Sequence, residues 1–244
     1  LPLAGTNCII GLVAQIVQVG CFPPVKELKH VVFVQDSEAL EKFFQTVKLN
    51  PCPFCKRSGS LNRHSVMSGH DPERNTGRMA RGQRVFCSDR GRRGGCGRTF
   101  PVFFAWVLPG HGFSATLIWQ AIARWLSGLS IRASWLGVKS PMVLDSFYHL
   151  LQRLRQRTAI LRTILAGIHR PPKSRHSDAL LQTFEHMLTV FPHTDCPTEA
   201  FQHRFQKPLT DSLHTLQAIS AGFSNLRTLF FDGFLNVATL QHPS

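Results

Sequence analysis

Four cysteines that fall into two pairs are the residues of this chain whose type and spacing could do chemistry. Two residues separate Cys52 from Cys55, and eight separate Cys87 from Cys96. A tight turn with two intervening residues can direct two thiolates at one ion, and four thiolates at tetrahedral corners are a donor set of structural zinc sites. The spacing therefore predicts that Cys52, Cys55, Cys87 and Cys96 bind one Zn²⁺.

The second pair departs from the usual spacing, because two to four residues generally separate the cysteines of such a turn. The eight-residue insert is rich in Gly and Arg and could loop out. Gly97 directly follows Cys96, as expected where the backbone turns tightly and points its N–H groups at the sulfurs. The metal would then be the core of this segment, so that metal binding supplies folding free energy.

Two other interpretations of the cysteines stay open. Cys52-Pro-Phe-Cys55 also resembles the active site of glutaredoxins, whose first cysteine has a lowered pKa at a helix N-terminus. That motif should follow a buried strand and open a helix, whereas here it follows a predicted helix and leaves the second pair unexplained. The four cysteines could also be ordinary buried residues, and His64 or His70 could replace one of them as a ligand. The three other cysteines are isolated in the sequence and are interpreted as packing residues: Cys8, Cys21 and Cys196.

Basic residues surround the cysteines. The 244-residue chain has 28 Lys and Arg against 14 Asp and Glu, a formal net charge of +14 and a pI near 10.3. Residues 51–100 contain eleven basic and three acidic side chains, which is more than half of the net charge. Such a surface attracts phosphate groups, and the attraction falls with salt. The composition predicts a nucleic-acid partner and no membrane, because the basic residues form no amphipathic stripe beside an apolar anchor.

Arginines of this segment are the candidate phosphate contacts. The expected set is Arg81, Arg84, Arg90, Arg92, Arg93 and Arg98. Phosphate contacts position a protein and base contacts specify sequence, so most of this set should give affinity without selectivity. A solvated basic loop without a partner is the alternative, although six arginines repel one another unless an anion offsets them.

The elements that position these residues are predicted to be mainly helical. Apolar periodicity and capping residues predict a strand at 31–34 and helices at 37–48, 114–127, 131–136, 141–166, 177–190 and 211–231. The third helix after residue 114 should begin with Ser140 as N-cap and Pro141 at the first helical position. The predicted fold class is mainly α with a small β zinc ribbon.

Four regions follow from this organisation. They are an N-terminal segment at 1–50, partly irregular with one helix, a zinc ribbon at 51–101, a helix-turn-helix-like domain of three helices at 114–168 and a C-terminal helical region at 177–240. In a helix-turn-helix the N-terminal residues of the recognition helix face base edges. The candidates on the third helix and in the turn before it are Lys139, Ser140, Ser146, His149, Arg153 and Arg157. A plain helical bundle with a polar outer face is the alternative.

The order of the motifs resembles the N-terminal zinc ribbon of insertion-sequence transposases and their accessory DNA-binding proteins. The resemblance is carried by Cys52-Pro-Phe-Cys55, Arg81-Gly-Gln-Arg-Val-Phe-Cys87 and Cys96-Gly-Arg-Thr-Phe100. It covers about fifty residues, and the eight-residue gap before Cys96 departs from it. The resemblance implies binding to transposon ends or to the element's own promoter, with a helix-turn-helix after the ribbon.

No catalytic motif accompanies the cysteines. The acidic residues after Pro101 lie on or between predicted helices, without the strands that would bring three of them to the two metal ions of a transposase. The N-terminus lacks the basic region of a signal peptide. We therefore expect a non-enzymatic, zinc-dependent DNA-binding protein of the cytoplasm, associated with a mobile element and capable of self-association or of binding a transposase. A zinc-stabilised protein–protein adaptor and a glutaredoxin-like thiol oxidoreductase are the alternatives.

Overall fold

A computed structural model describes residues 30–74, 77–91 and 94–210. Its elements are β1 (Val32–Val34), α1 (Ser37–Thr46), a 3₁₀ turn (Val47–Leu49), β2 (Leu61–His70), β3 (Arg78–Cys87), β4 (Thr99–Phe104), α2 (Ala115–Leu126), α3 (Ile131–Leu136), α4 (Leu144–Ala166), α5 (Ala179–Val190) and α6 (Pro197–Phe205). Helices and a cysteine-bearing β segment are both present, as predicted. The described part of the chain is nevertheless mixed α and β, because its four strands form one sheet larger than a small ribbon.

The sheet has the strand order β1-β4-β3-β2. Strands β2, β3 and β4 are antiparallel neighbours, and β1 pairs in parallel with β4 through Phe33 and Phe103. The strand predicted at 31–34 therefore joins the sheet of the cysteine segment. Sequence periodicity could not reveal this, since the two paired strands are about seventy residues apart.

The β2–β3 hairpin extends beyond the rest of the sheet. Residues Gly82 to Phe86 of β3 pair with β4. The part of β3 before Gly82 pairs with β2 alone. Gly82 has a φ of 144°, and a Cβ there would lie 2.8 Å from the Cα of Phe103. Glycine thus permits the close approach of β3 and β4 where the two-stranded hairpin leaves the sheet.

Helix α1 packs on this sheet and forms one of two hydrophobic cores. Leu40 and Phe43 of α1 join Val85 and Val102 of the sheet in this core, which also contains Cys52 and Cys87. The N-cap is Asp36 rather than the predicted Ser37, because the Asp36 carboxylate accepts a hydrogen bond from Ala39 N at 2.8 Å.

Helices α2 to α6 surround the second core. Ser114 and Ser130 cap α2 and α3 by accepting hydrogen bonds from Leu117 N and Ala133 N. The predicted start of α4 at Ser140 and Pro141 is wrong, because the helix begins at Leu144. In the loop before the helix, the indole N–H of Trp135 donates to Met142 O at 3.2 Å.

The C-terminal part of the described chain contains α5 and α6. The Asp178 carboxylate caps α5 by accepting hydrogen bonds from Leu180 N and Leu181 N, so the helix begins after Asp178 and not at residue 177 as predicted. Helix α6 lies between the helices predicted at 177–190 and 211–231, and the second of these lies outside the described residues. The division into four regions stays a prediction. None of the helices in the described ranges is long and apolar enough to cross a membrane.

Helix α6 and the residue after it connect the helical part to the sheet. Phe33 N donates to Gln206 Oε1 at 2.7 Å, and Gln206 Nε2 donates to Phe33 O at 2.9 Å. Gln202 Nε2 donates to Ala105 O and to Val107 O just beyond β4. Two glutamine side chains therefore satisfy backbone groups at the edge and at the end of the sheet.

Candidate metal centre

The four predicted cysteine ligands meet at one point. Their sulfur atoms all lie within 4.8 Å of one another. The Sγ atoms of Cys52 and Cys96 are 3.8 Å apart, and those of Cys55 and Cys87 are 3.7 Å apart. Zinc–sulfur bonds of about 2.3 Å directed at tetrahedral corners would place the sulfurs about 3.8 Å apart, whereas a disulfide needs about 2.05 Å. The geometry fits one tetrahedral ion, and no other cysteine or histidine of the described residues joins the group.

The first pair is supplied by the turn after the 3₁₀ segment. Lys56 N donates to Cys52 O at 2.9 Å, and Phe54 N donates to the sulfur of Cys52 at 3.4 Å. Lys56 has a φ of 61°, a left-handed conformation that the turn requires directly after Cys55. The backbone thus closes around the first two sulfurs as in a metal-binding knuckle.

The second pair reaches the same geometry despite its longer insert. Gly95 N donates to Ser88 O at 2.8 Å and closes the insert, so that Cys87 and Cys96 become neighbours. Cys96 N then donates to the sulfur of Cys87 at 3.3 Å, and Gly97 N donates to Cys87 O at 3.0 Å. Gly97, with a φ of 69°, occupies the position after the cysteine that Lys56 occupies in the first turn. The looped-out insert that the sequence suggested is confirmed for the residues described.

One further side chain at the centre has no sequence signal. The hydroxyl of Ser60 is fully buried and lies 3.2 Å from the sulfur of Cys87. Ser88 N also donates to Ser60 O at 2.8 Å. Ser60 therefore supports the second pair from the start of β2, twenty-seven residues away in sequence.

The surroundings shift the pKa of three of the thiols, and not all in the same direction. Burial raises the pKa of Cys52 to about 12 and also raises the pKa of Cys96. The backbone N–H of Arg57 lowers the pKa of Cys55 to about 7. A cation at the centre would have to displace protons from the buried sulfurs, as divalent metals do when thiols bind them. A glutaredoxin needs the opposite arrangement, in which the first cysteine of the motif has the lowered pKa.

Three of the predicted arginines are exposed around the centre. Arg84 lies on β3, Arg90 lies in the insert, and Arg98 follows the second pair. The Arg98 guanidinium stacks over the ring of Phe54, with 5.3 Å between its carbon and the ring centroid. The two other arginines of the insert, Arg92 and Arg93, lie outside the described residues.

Arg81 has a different environment from the other arginines. Its side chain lies across Gly69 of the neighbouring strand, and its Nη2 is 3.5 Å from Leu108 O and 3.4 Å from Phe113 O. Burial lowers the pKa of Arg81. Arg81 therefore points toward the loop between β4 and α2 rather than to the open surface near the cysteines.

The predicted polar stripe of α4 turns from solvent into the core. His149 is exposed, Arg153 is half-buried, and Arg157 is buried. Each step of four residues rotates a helical position by about 40°, because a helix has about 3.6 residues per turn. Arg157 therefore does not fit the expected contact with bases. Arg155, two residues earlier in α4, is exposed instead, and its guanidinium pairs with the Asp178 carboxylate at 3.2 Å.

The remaining candidates lie around the start of this helix. Lys139 is exposed in the loop before α4, and Ser146 is half-buried in its first turn. Ser140 is half-buried, and its hydroxyl accepts a hydrogen bond from Met142 N at 3.2 Å. Lys139 and His149 are thus the predicted base-reading residues that face solvent.

Comparison with known proteins adds no assignment, because no family model matches the chain and no curated protein or solved structure is significantly similar to it. A functional assignment therefore depends on the residues of the chain itself.

Proposed function

We propose that this protein is a zinc-dependent DNA-binding protein, in which a zinc ion held by four thiolates shapes a basic surface for the phosphate backbone. The observation that carries the proposal is the coincidence of the two features: the cysteine centre lies within the segment that accounts for more than half of the net positive charge. Arg84, Arg90 and Arg98 are exposed around that centre. Guanidinium groups bind phosphate oxygens with two parallel hydrogen bonds, which makes arginine suited to this surface.

Zinc is the metal that the donor set favours. Four thiolates in tetrahedral geometry suit zinc or an iron centre, and zinc is the ion of closed structural sites. Two of the cysteines belong to the core under α1, so the ion would fix the base of the hairpin to the rest of the sheet. The zinc would have a structural role, and the arginines would make the contacts with DNA.

The helical part supports a role in reading sequence. Helices α2, α3 and α4 follow the cysteine segment in the order of the predicted three-helix domain, with α4 in the place of the recognition helix. Lys139 and His149 are exposed near the start of α4. The resemblance of the cysteine segment to transposase ribbons makes the ends or the promoter of a mobile element the preferred targets, in a cytoplasmic setting.

A protein–protein adaptor is the second candidate. Leu136, at the end of α3, and Val143, just before α4, are each 66% exposed. Apolar side chains of this exposure are suited to a protein partner. An adaptor would show no affinity for duplex DNA near physiological salt, whereas the proposed protein binds duplex with an affinity that falls steeply as salt increases.

The test is the salt dependence of duplex binding by the zinc-loaded chain, followed by fluorescence anisotropy. Arg84→Gln combined with Arg90→Gln should weaken binding to all sequences and flatten the slope of log K against log salt by up to about 0.9 for each phosphate that is no longer neutralised. The matched control combines Arg204→Gln with Lys207→Gln, which removes the same charge from exposed positions in and just after α6. Equal effects of the two double variants would show that net charge, and not this surface, binds the duplex.

A further inference from the structure

Two arginines and a histidine meet where the β2–β3 hairpin, the β4–α2 loop and helix α4 join. Arg153 Nη1 lies 3.5 Å from His111 Nε2. The side chain of Arg81 crosses Gly69 and reaches the carbonyl oxygens of Leu108 and Phe113 in the same loop. Both guanidinium groups are close enough to His111 to contribute, after burial, to lowering its pKa to about 4.

The positive charges at this junction have no acidic partner among the residues that the structure describes. The ion pairs of the described residues lie elsewhere and join Lys42 to Glu38, Arg63 to Glu41 and Arg155 to Asp178. Neither Arg81 nor Arg153 takes part in them. The Nε–H of Arg81 is buried and has no hydrogen-bond acceptor, and the contacts of its Nη2 are at the long limit of a hydrogen bond. Donors and charge at this junction therefore remain unsatisfied.

A phosphate group has the chemistry that would satisfy this junction. Its several oxygens accept hydrogen bonds from more than one guanidinium, and its negative charge offsets the repulsion between the two arginines. His111 is neutral at pH 7 and can donate one ring N–H without adding a third positive charge. A cation would be repelled here, and an apolar ligand would leave the donors unpaired.

We infer that Arg81, His111 and Arg153 form a binding site for a phosphate group, at the junction of the hairpin with the helical part. The phosphate is either a phosphodiester of the nucleic-acid backbone or a free phosphate ion. The first source rests on the proposed function, and it would place the backbone between the hairpin and the exposed His149, one turn of α4 before Arg153.

The site is tested first without DNA. Inorganic phosphate is titrated into the zinc-loaded chain, and the His111 ring and arginine Nε–H signals are followed by NMR. We expect saturable shifts in the wild type and in the control Arg204→Gln, reduced shifts in Arg153→Lys, which keeps the charge, and none in Arg153→Gln. Absence of shifts in the wild type, or equal shifts in a folded Arg153→Gln variant, would overturn the inference.

Duplex DNA then distinguishes the two sources. If the backbone is the ligand, Arg153→Gln flattens the salt slope of duplex binding by about 0.9, and Arg204→Gln leaves it unchanged. An unchanged slope together with the phosphate-dependent shifts identifies a site for free phosphate. A wild type that binds no duplex contradicts the proposed function, and the phosphate titration still decides the inference separately.

Discussion

At the scale of single residues, Cys52 and Cys196 show that burial alone does not identify a metal ligand. Burial raises the pKa of both thiols to about 12. Cys52 has three other sulfurs within 4.8 Å, whereas the sulfur of Cys196 lies 3.0 Å from the hydroxyl of Thr198. The sequence separated these two cysteines by spacing, because only Cys52 belongs to a closely spaced pair.

This contrast gives a matched pair of variants. The wild type should bind one zinc per chain, Cys196→Ser should also bind one, and Cys52→Ser should bind zinc far more weakly because only three thiolate ligands remain. Metal analysis and the strong visible absorption of a tetrahedral cobalt–thiolate site measure both effects. A wild-type chain that binds no metal when purified and reconstituted would remove the basis of the proposed function.

His111 makes a second prediction at this scale. Its pKa is lowered to about 4 in the folded chain from an ordinary 6.5, first by burial and then by Arg153 and Arg81. The unfolded chain therefore binds more protons between these values, and stability decreases as the pH falls from 6.5 to 4. His111→Gln should reduce this decrease in urea unfolding experiments in phosphate-free buffer. Acid protonation of the cysteines affects both proteins equally, so identical pH profiles would contradict the prediction.

At the scale of elements, local signals predicted helices better than they predicted their ends and partners. Apolar periodicity predicted α2 and α3 to within one residue of their observed ends, and the structure shows that Ser114 and Ser130 cap them. The predicted start of α4 was wrong: Ser140 and Pro141 give a local start signal, but they lie in a loop where Trp135 donates to Met142 O, a contact that local sequence does not reveal. The junction of Arg81 with Arg153 was likewise hidden, because it joins residues on three separate elements.

The second cysteine turn makes a prediction about its glycines. A Cβ on Gly95 would clash with Ser88 O and lie 2.7 Å from the sulfur of Cys87, both well inside normal contact distance. Gly91, in the same insert, has a φ of 64° but nothing within 4 Å of its Cβ position. Gly95→Ala should therefore reduce zinc affinity strongly, whereas Gly91→Ala should cost only about 1 kcal/mol of backbone strain. Competition with a chromophoric chelator measures the affinity, and equal effects would show that the close packing of Gly95 against Ser88 O and the Cys87 sulfur is unimportant.

At the scale of the whole molecule, the sheet and the helical part have separate hydrophobic cores that α6 connects. The sequence predicted the cysteine segment and the helices separately and could not predict this connection. The reason is physical: the side-chain amide of Gln206 pairs across 173 residues with the backbone N–H and C=O of Phe33, and backbone groups carry no sequence pattern. Tertiary hydrogen bonding therefore determines how the two halves are held together.

Gln206 is accordingly the position at which to test that connection. Gln206→Met keeps the length of the side chain but leaves the N–H and C=O of Phe33 without their partner, so it should cost about 1–3 kcal/mol of stability. Gln120→Met, at an exposed position of α2, is the control and should be nearly neutral. Urea unfolding of the zinc-loaded proteins measures both changes. A destabilisation no greater than that of the control would mean that the two halves do not depend on this pair of hydrogen bonds.

The glutamine on Phe33 also has a consequence for dissecting the protein. Free peptide groups along an edge strand are a template for strand addition by another copy. A shortened ribbon that stops before α6 lacks Gln206 and exposes that edge on β1. Such a fragment would tend to oligomerise, and avidity in the oligomer would raise any duplex affinity above that of the intact chain. The duplex binding that we propose is therefore best tested in a chain that retains its own edge cap.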